Sequence, residues 1–189
     1  LAILLIMFIL INQFGSFAKP AIILSEVVFS IIGVLLGYIA CGMTISVIMT
    51  GLGVVALAGI VVRNGILLVE FTDLLKAQGL KTRTAIIEAG KTRIIPVFLT
   101  AAATVLGLIP LAVGFNIDFM GLLTSFAPNI HFGGDSVTFF GGLAWTIIFG
   151  LTFATFLTLL LIPSMYFIVY NSDIRSKRRA TARKHKKRK

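Results

Sequence analysis

The stretch VVRNGILLVEF, Val61–Phe71, sets an arginine, an asparagine and a glutamate among side chains that are otherwise apolar. The residues upstream, 27–62, carry no charge, and neither do 1–18, 94–117 and 136–172. A helix needs about 20 predominantly apolar residues to cross about 30 Å of hydrocarbon. The run 27–62 is long enough for parts of two such helices, and ACGMTIS, Ala40–Ser46, supplies the break between them. The 189 residues are 58% hydrophobic, and a soluble domain of that size needs far more charge to cover its surface. The expected fold is an all-α membrane protein, a polytopic bundle of about five helices. They fall at about 1–17, 20–40, 46–71, 93–114 and 138–168, so that 1–172 forms the bundle and 173–189 a basic tail. Pro20 suits a first helical turn and Pro163 a kink near the final exit. The last span is too long for a simple crossing and is expected to project or tilt.

The 17 basic residues decide the orientation. The connections 41–46 and 115–137 hold none, whereas 72–92 holds Lys76, Lys81, Arg83 and Lys91, with Arg93 just beyond. Lys19 lies in the first connection, and ten basic residues follow Asp173. Basic and neutral connections alternate, which predicts the basic ones in the cytoplasm, the N-terminus outside and the C-terminus inside. The chain begins on Leu1 inside an apolar run, without a basic flank or a cleavage site, as expected of a piece whose N-terminal part lies upstream.

TDLLKAQGLKTRTAIIEAGKTR, Thr72–Arg93, reads as a connection with a short helix on the membrane surface, because Ala85, Ile86 and Ala89 lie among charges. The segment 116–136 is apolar but broken by Pro128 and Gly133-Gly134, and is expected to pack on the outer interface. His131 is isolated there, and Cys41 is the only cysteine, so no metal site is expected. The tail RSKRRATARKHKKRK lacks aromatic side chains for base stacking. Anionic lipid headgroups, rather than nucleic acid, are its expected partner.

Membrane helices associate through small and occasional polar residues. Gly142, Thr146, Gly150, Ala154 and Thr158 form a small stripe on the last span, and Glu26, Ser30, Gly33 and Gly37 one on the second. Both predict close helix contact. Ionisable residues are different, since Arg at mid-helix costs about 2.5–3.5 kcal/mol and by default marks function. Arg63 is expected about eight residues, or roughly 12 Å, from the cytoplasmic end of its helix, with Asn64 beside it. Arg93, Thr100, Thr104 and Gly107 share a face of the fourth span, and the two polar stripes are expected to face each other. Neither stripe holds an acid at depth. Arg63 therefore needs a partner, either Glu26 or a carboxylate from outside this chain.

On these residues the sequence resembles the C-terminal membrane half of a resistance–nodulation–division (RND) efflux pump of the AcrB-type hydrophobe/amphiphile branch. The matching segments are GIVVRNGILLVEF, TRIIPVFLTAAATVLGLIPLAVG and LLIPSMYFIV, and all but the basic tail is covered. The resemblance implies spans eight to twelve of a twelve-span protomer, a homotrimer in the bacterial inner membrane, and export driven by the proton motive force without a cofactor. It also implies a periplasmic adaptor and an outer-membrane channel as partners. By motif position the family's relay lysine falls on Arg63, its neighbouring Asn on Asn64, the relay arginine on Arg93 and the relay threonine on Thr100. The relay aspartates lie in the missing N-terminal part of the same chain. Arginine for lysine is a departure, because a guanidinium keeps its proton. Arg63 can then serve only as a permanent counter-charge.

The function expected is part of the proton-translocating domain of an efflux permease exporting drugs or other amphiphiles. A protein-translocation accessory of the same superfamily, or a non-transporting scaffold, is the alternative. No nucleophile–base pair, metal-ligand spacing or phosphate loop is present, so a secondary transporter and not an enzyme is expected.

Overall fold

The computed structural model describes residues 2–117 and 130–186. Five helices follow in order: α1 (Ala2–Phe14), α2 (Ala18–Cys41), α3 (Val47–Ala77), α4 (Thr82–Val113) and α5 (Asp135–Lys186). A short antiparallel ribbon of β1 (Phe115–Ile117) and β2 (Ile130–Phe132) joins α4 to α5, with Asn116 opposite His131. Ala18–Cys41, Val47–Ala77, Thr82–Val113 and the Phe139–Ile168 part of α5 are each long and apolar enough to cross a membrane. The 13 residues of α1 rise only about 20 Å.

Local chemistry sets the boundaries. Cys41 is followed by Gly42 in the left-handed region, whose N–H donates to the Ile39 carbonyl while that of Met43 donates to Tyr38, closing the last turn of α2. The same device ends α3, where Gly79 has φ 94 and the Leu80 N–H reaches the Leu75 carbonyl. Between α3 and α4 only 78–81 lies outside a helix. The expected long connection with a separate surface helix is thus corrected. Residues 72–77 extend α3, and 82–92 form the opening turns of α4, where Ala85, Ile86 and Ala89 are buried. Likewise α5 continues through 173–186, so the backbone of the tail prolongs the last span. The expected packing of 116–136 and the lipid contacts of the tail fall on residues or side chains outside those described.

α5 is the hub. It packs on α2, α3 and α4, while α3 also touches α2 and α4, and α1 touches α2. The predicted stripes make these contacts. On α2, Gly33 lies against Phe153 and Gly37 against Phe149, while Gly150 of α5 faces Leu57 and Val34. A Cβ on Gly53 would stand 2.7 Å from the Thr146 Cβ. Outward faces are apolar, with Ile39 77% and Val47 86% exposed, as a lipid-facing surface requires.

At one end of the bundle the Tyr38 hydroxyl donates to the Gly142 carbonyl at 2.8 Å and meets the hydroxyls of Thr50 (3.2 Å) and Thr146 (2.9 Å). This one hydroxyl ties α2, α3 and α5 together. Tyr38→Phe is expected to lower stability by about 1–2 kcal/mol, because buried polar partners lose a bond and gain no water. Thermal unfolding of the purified protein in detergent checks it, and an unchanged midpoint would show that the hydroxyl is replaceable.

Candidate functional site

Arg63 sits ten residues from Asp73, about 15 Å along the axis and half the hydrocarbon thickness. It lies farther from the end of its helix than the sequence suggested, because α3 runs six residues past Phe71. Its side chain is exposed, and it makes no hydrogen bond or ion pair among the described residues. Gly51, Val55, Gly59, Arg63, Leu67, Glu70 and Leu74 all lie exposed on one face of α3, and nothing stands within 4 Å of a Cβ placed on Gly51 or Gly59. The neighbouring Asn64 turns the other way and is buried at 4% exposure.

Glu26 is wholly buried, and neither carboxylate oxygen has a hydrogen-bond partner among the described residues. The candidate Arg63–Glu26 pair is therefore not formed. The reason is geometric: Glu26 enters the bundle against Gly65, and Arg63 leaves it on the opposite side of α3.

Arg93, in α4, lays its guanidinium over the Phe71 ring of α3 at 4.5 Å, with its Nε buried and lacking an acceptor among the described residues. Cation–π contact is what holds it. Thr100 is exposed and donates to the Val97 carbonyl at 3.0 Å, and Thr104 donates to Thr100 at 2.8 Å. The polar stripes of α3 and α4 thus exchange no hydrogen bond among the described residues. Gly107 also stands open, with nothing within 4 Å of its Cβ position. Arg63 and Thr100 thus both lie on exposed faces of their helices.

A charged cluster escaped the sequence reading. Lys19 pairs with Asp73 at 2.5 Å, Tyr166 donates to the other oxygen of Asp73 at 2.6 Å, and Lys76 donates to the Tyr166 hydroxyl at 3.2 Å. Lys76 also lies over the rings of Tyr166 and Tyr170, at 5.4 and 5.3 Å. The start of α2 and the end of α3 therefore share one end of the bundle with the Tyr166 region of α5. The Tyr38 cluster occupies the other. The only advance signal was the i, i+3 spacing of Asp73 and Lys76, which looked like part of a loop.

Known proteins give this arrangement a context. Over 165 residues the chain is 39% identical to the swarming motility protein SwrC of Bacillus subtilis (strain 168), covering 87% of this chain and 14% of that protein. It is 30% identical over 154 residues to the multidrug resistance protein MdtC of Erwinia tasmaniensis, covering 81% of this chain and 13% of MdtC. Its backbone resembles a crystal structure of a heavy metal efflux pump with a TM-score of 0.69 at 28% identity, over 89% of this chain and 14% of the pump. The chain thus spans about one-seventh of the length of these relatives. The AcrB/AcrD/AcrF family profile matches residues 1–116, the part holding α1 to α4 with Arg63 and Arg93. The chain belongs to that family.

Proposed function

We propose that this chain forms part of the proton-translocating membrane domain of an RND efflux permease, with Arg63 as a fixed counter-charge for carboxylates supplied from outside its 189 residues. One observation carries this reading: an exposed guanidinium within the apolar span of α3 that lacks a partner among the described residues. A charge there is stable only when paired. Arg93, held by Phe71, and Thr100 complete the relay, and Asn64 supports it from the buried side of α3. A guanidinium keeps its proton, so Arg63 acts by changing partners as neighbouring acids gain and lose theirs.

Spans eight to twelve of a homotrimeric secondary transporter, with a periplasmic adaptor and an outer-membrane channel, are the assembly this reading entails. Export of drugs or other amphiphiles is the preferred cargo, supported by similarity to a multidrug resistance protein. A second reading, metal-ion export, is favoured by the likeness to a heavy metal efflux pump. Transport assays of the full-length permease with amphiphilic dyes and with divalent cations separate the two: the cargo moved in an Arg63-dependent way is the substrate class.

The orientation proposed puts 72–92 and 171–189 in the cytoplasm of a bacterial inner-membrane protein and 115–137 in the periplasm, with the basic tail on anionic lipid. Single cysteines at Gln78 and Asn129, in a background without Cys41, are expected to react with an impermeant maleimide from opposite sides. Labelling of both from one side would overturn the map.

A further inference from the structure

Glu26 is a buried carboxyl that the relay does not use. A Cβ placed on Gly65 of α3 would stand 3.0 Å from Glu26 Oε2, 3.2 Å from Ile23 Cγ2 and 3.3 Å from Ile162 Cδ1. The carboxyl is thus seated in the notch left by the missing side chain of Gly65, where α2, α3 and α5 converge. Both oxygens lack a partner among the described residues, and the side chain is wholly buried. Two serine hydroxyls on α2 are turned to their own helix: Ser25 donates to the Ile22 carbonyl and Ser30 to that of Val27.

No cation among the described residues is paired with it. Helix α1 has no ionisable side chain. On α3, Arg63 and Glu70 are exposed, Asp73 is held by Lys19 and Tyr166, and Lys76 sits on Tyr166. On the described part of α5, Tyr166 already donates to Asp73, and Tyr170 lies against Lys76. An ionised carboxylate at such a place lacks both water and counter-charge, whereas the neutral acid leaves only hydrogen bonds unmade. A metal ion needs several oxygen or nitrogen ligands, and no group of three or more His, Cys, Asp or Glu exists among the described residues.

We infer that Glu26 is a proton-binding site in the membrane, distinct from the Arg63 face and linked to it through α3. Gly65 and Arg63 are two residues apart, about 200° around the helix, so one rigid element carries the seat of the carboxyl on one side and the counter-charge on the other. When α3 shifts and the notch opens to water, the acid releases its proton to a water molecule and becomes a carboxylate. When the notch closes, the proton must return. The link to transport rests on the function proposed above; the proton site itself does not.

Infrared difference spectra of the full-length permease in membranes, parent minus Glu26→Gln at neutral pH, test the site. Glutamine is nearly isosteric with the neutral acid, so the fold is kept. The expected result is loss of one carboxylic-acid C=O stretch that shifts on deuteration and persists in Glu70→Gln. A subtraction that shows only ionised carboxylate bands overturns the site. Proton-driven transport tests the link. Glu26→Gln, which cannot release a proton, is expected to fall to background, and Glu26→Asp to regain part of the rate with a displaced pH profile. Parental rate and pH profile in Glu26→Gln would overturn the link. Normal transport in Arg63→Ala would instead count against the relay reading and leave the spectral result standing.

Discussion

Arg63→Ala is expected to abolish proton-driven export by the full-length permease while the protein still inserts and assembles. The side chain points out of the bundle described here, so its removal leaves the packing of α2, α3 and α5 untouched. On the function proposed above, what it removes is the counter-charge of acids in hydrocarbon. The cost of an unpaired mid-bilayer charge, about 2.5–3.5 kcal/mol, corresponds to roughly a hundredfold loss of rate. Arg63→Lys is expected to retain part of the activity, since it restores the charge without the planar fork. Arg63→Ala combined with Glu26→Gln should transport no better than Arg63→Ala alone, because the two side chains do not meet. Initial rates in vesicles under an imposed proton gradient decide it. A double variant that pumps like the parent would show the two side chains to be partners in transport and sink the case for acids outside the chain.

The second large effect is on stability. Gly150 faces Leu57 of α3 and Val34 of α2 so closely that any Cβ overlaps the Leu57 side chain. Leu57 is completely buried, so it can move aside only by disturbing the side chains around it. Gly150→Ala is expected to destabilise the bundle by about 1–3 kcal/mol, the range for overpacked cores. Leu57→Ala should then relieve the glycine variant, and the cycle should show coupling of about 0.5–3 kcal/mol. Thermal unfolding of the four proteins in detergent measures it. Strict additivity would mean that α5 sits farther from α3 than the structure places it.

The sequence made the bundle legible wherever its signal was composition. Uncharged runs located the apolar helices, and the four-residue spacing of Gly142, Thr146 and Gly150 named the face that α5 buries. Helix ends were read too early for one physical reason. Asp73 and Lys76 look like a loop because charges are excluded from hydrocarbon, yet a helix that rises about 46 Å over 31 residues carries its last turns beyond the membrane. The opposite orientation of Arg63 and Glu26 was hidden for another reason. Periodicity assigns a residue to a face of its own helix, but not the neighbour which that face meets. Arg63, Asn64, Arg93 and Thr100 could be picked out by residue type and motif. The notch at Gly65 could not, since a lone glycine in a membrane helix carries no mark of what fills it.

The central position of α5 has a consequence for how the protein is made. A ribosome delivers α2, α3 and α4 to the membrane before the helix that joins them exists. Until α5 arrives, Gly33 and Gly37 lack Phe153 and Phe149, Gly53 lacks Thr146, and the Tyr38 hydroxyl has neither Thr146 nor the Gly142 carbonyl. The early spans must therefore wait in lipid as loosely associated helices, with α2 and α3 joined by Lys19–Asp73, Tyr38–Thr50 and the packing of Ile23 and Glu26 on Gly65. The compact core can form only once α5 has been synthesised. A nascent chain cut before Asp135 would present its quality-control machinery with glycine-lined grooves open to the bilayer.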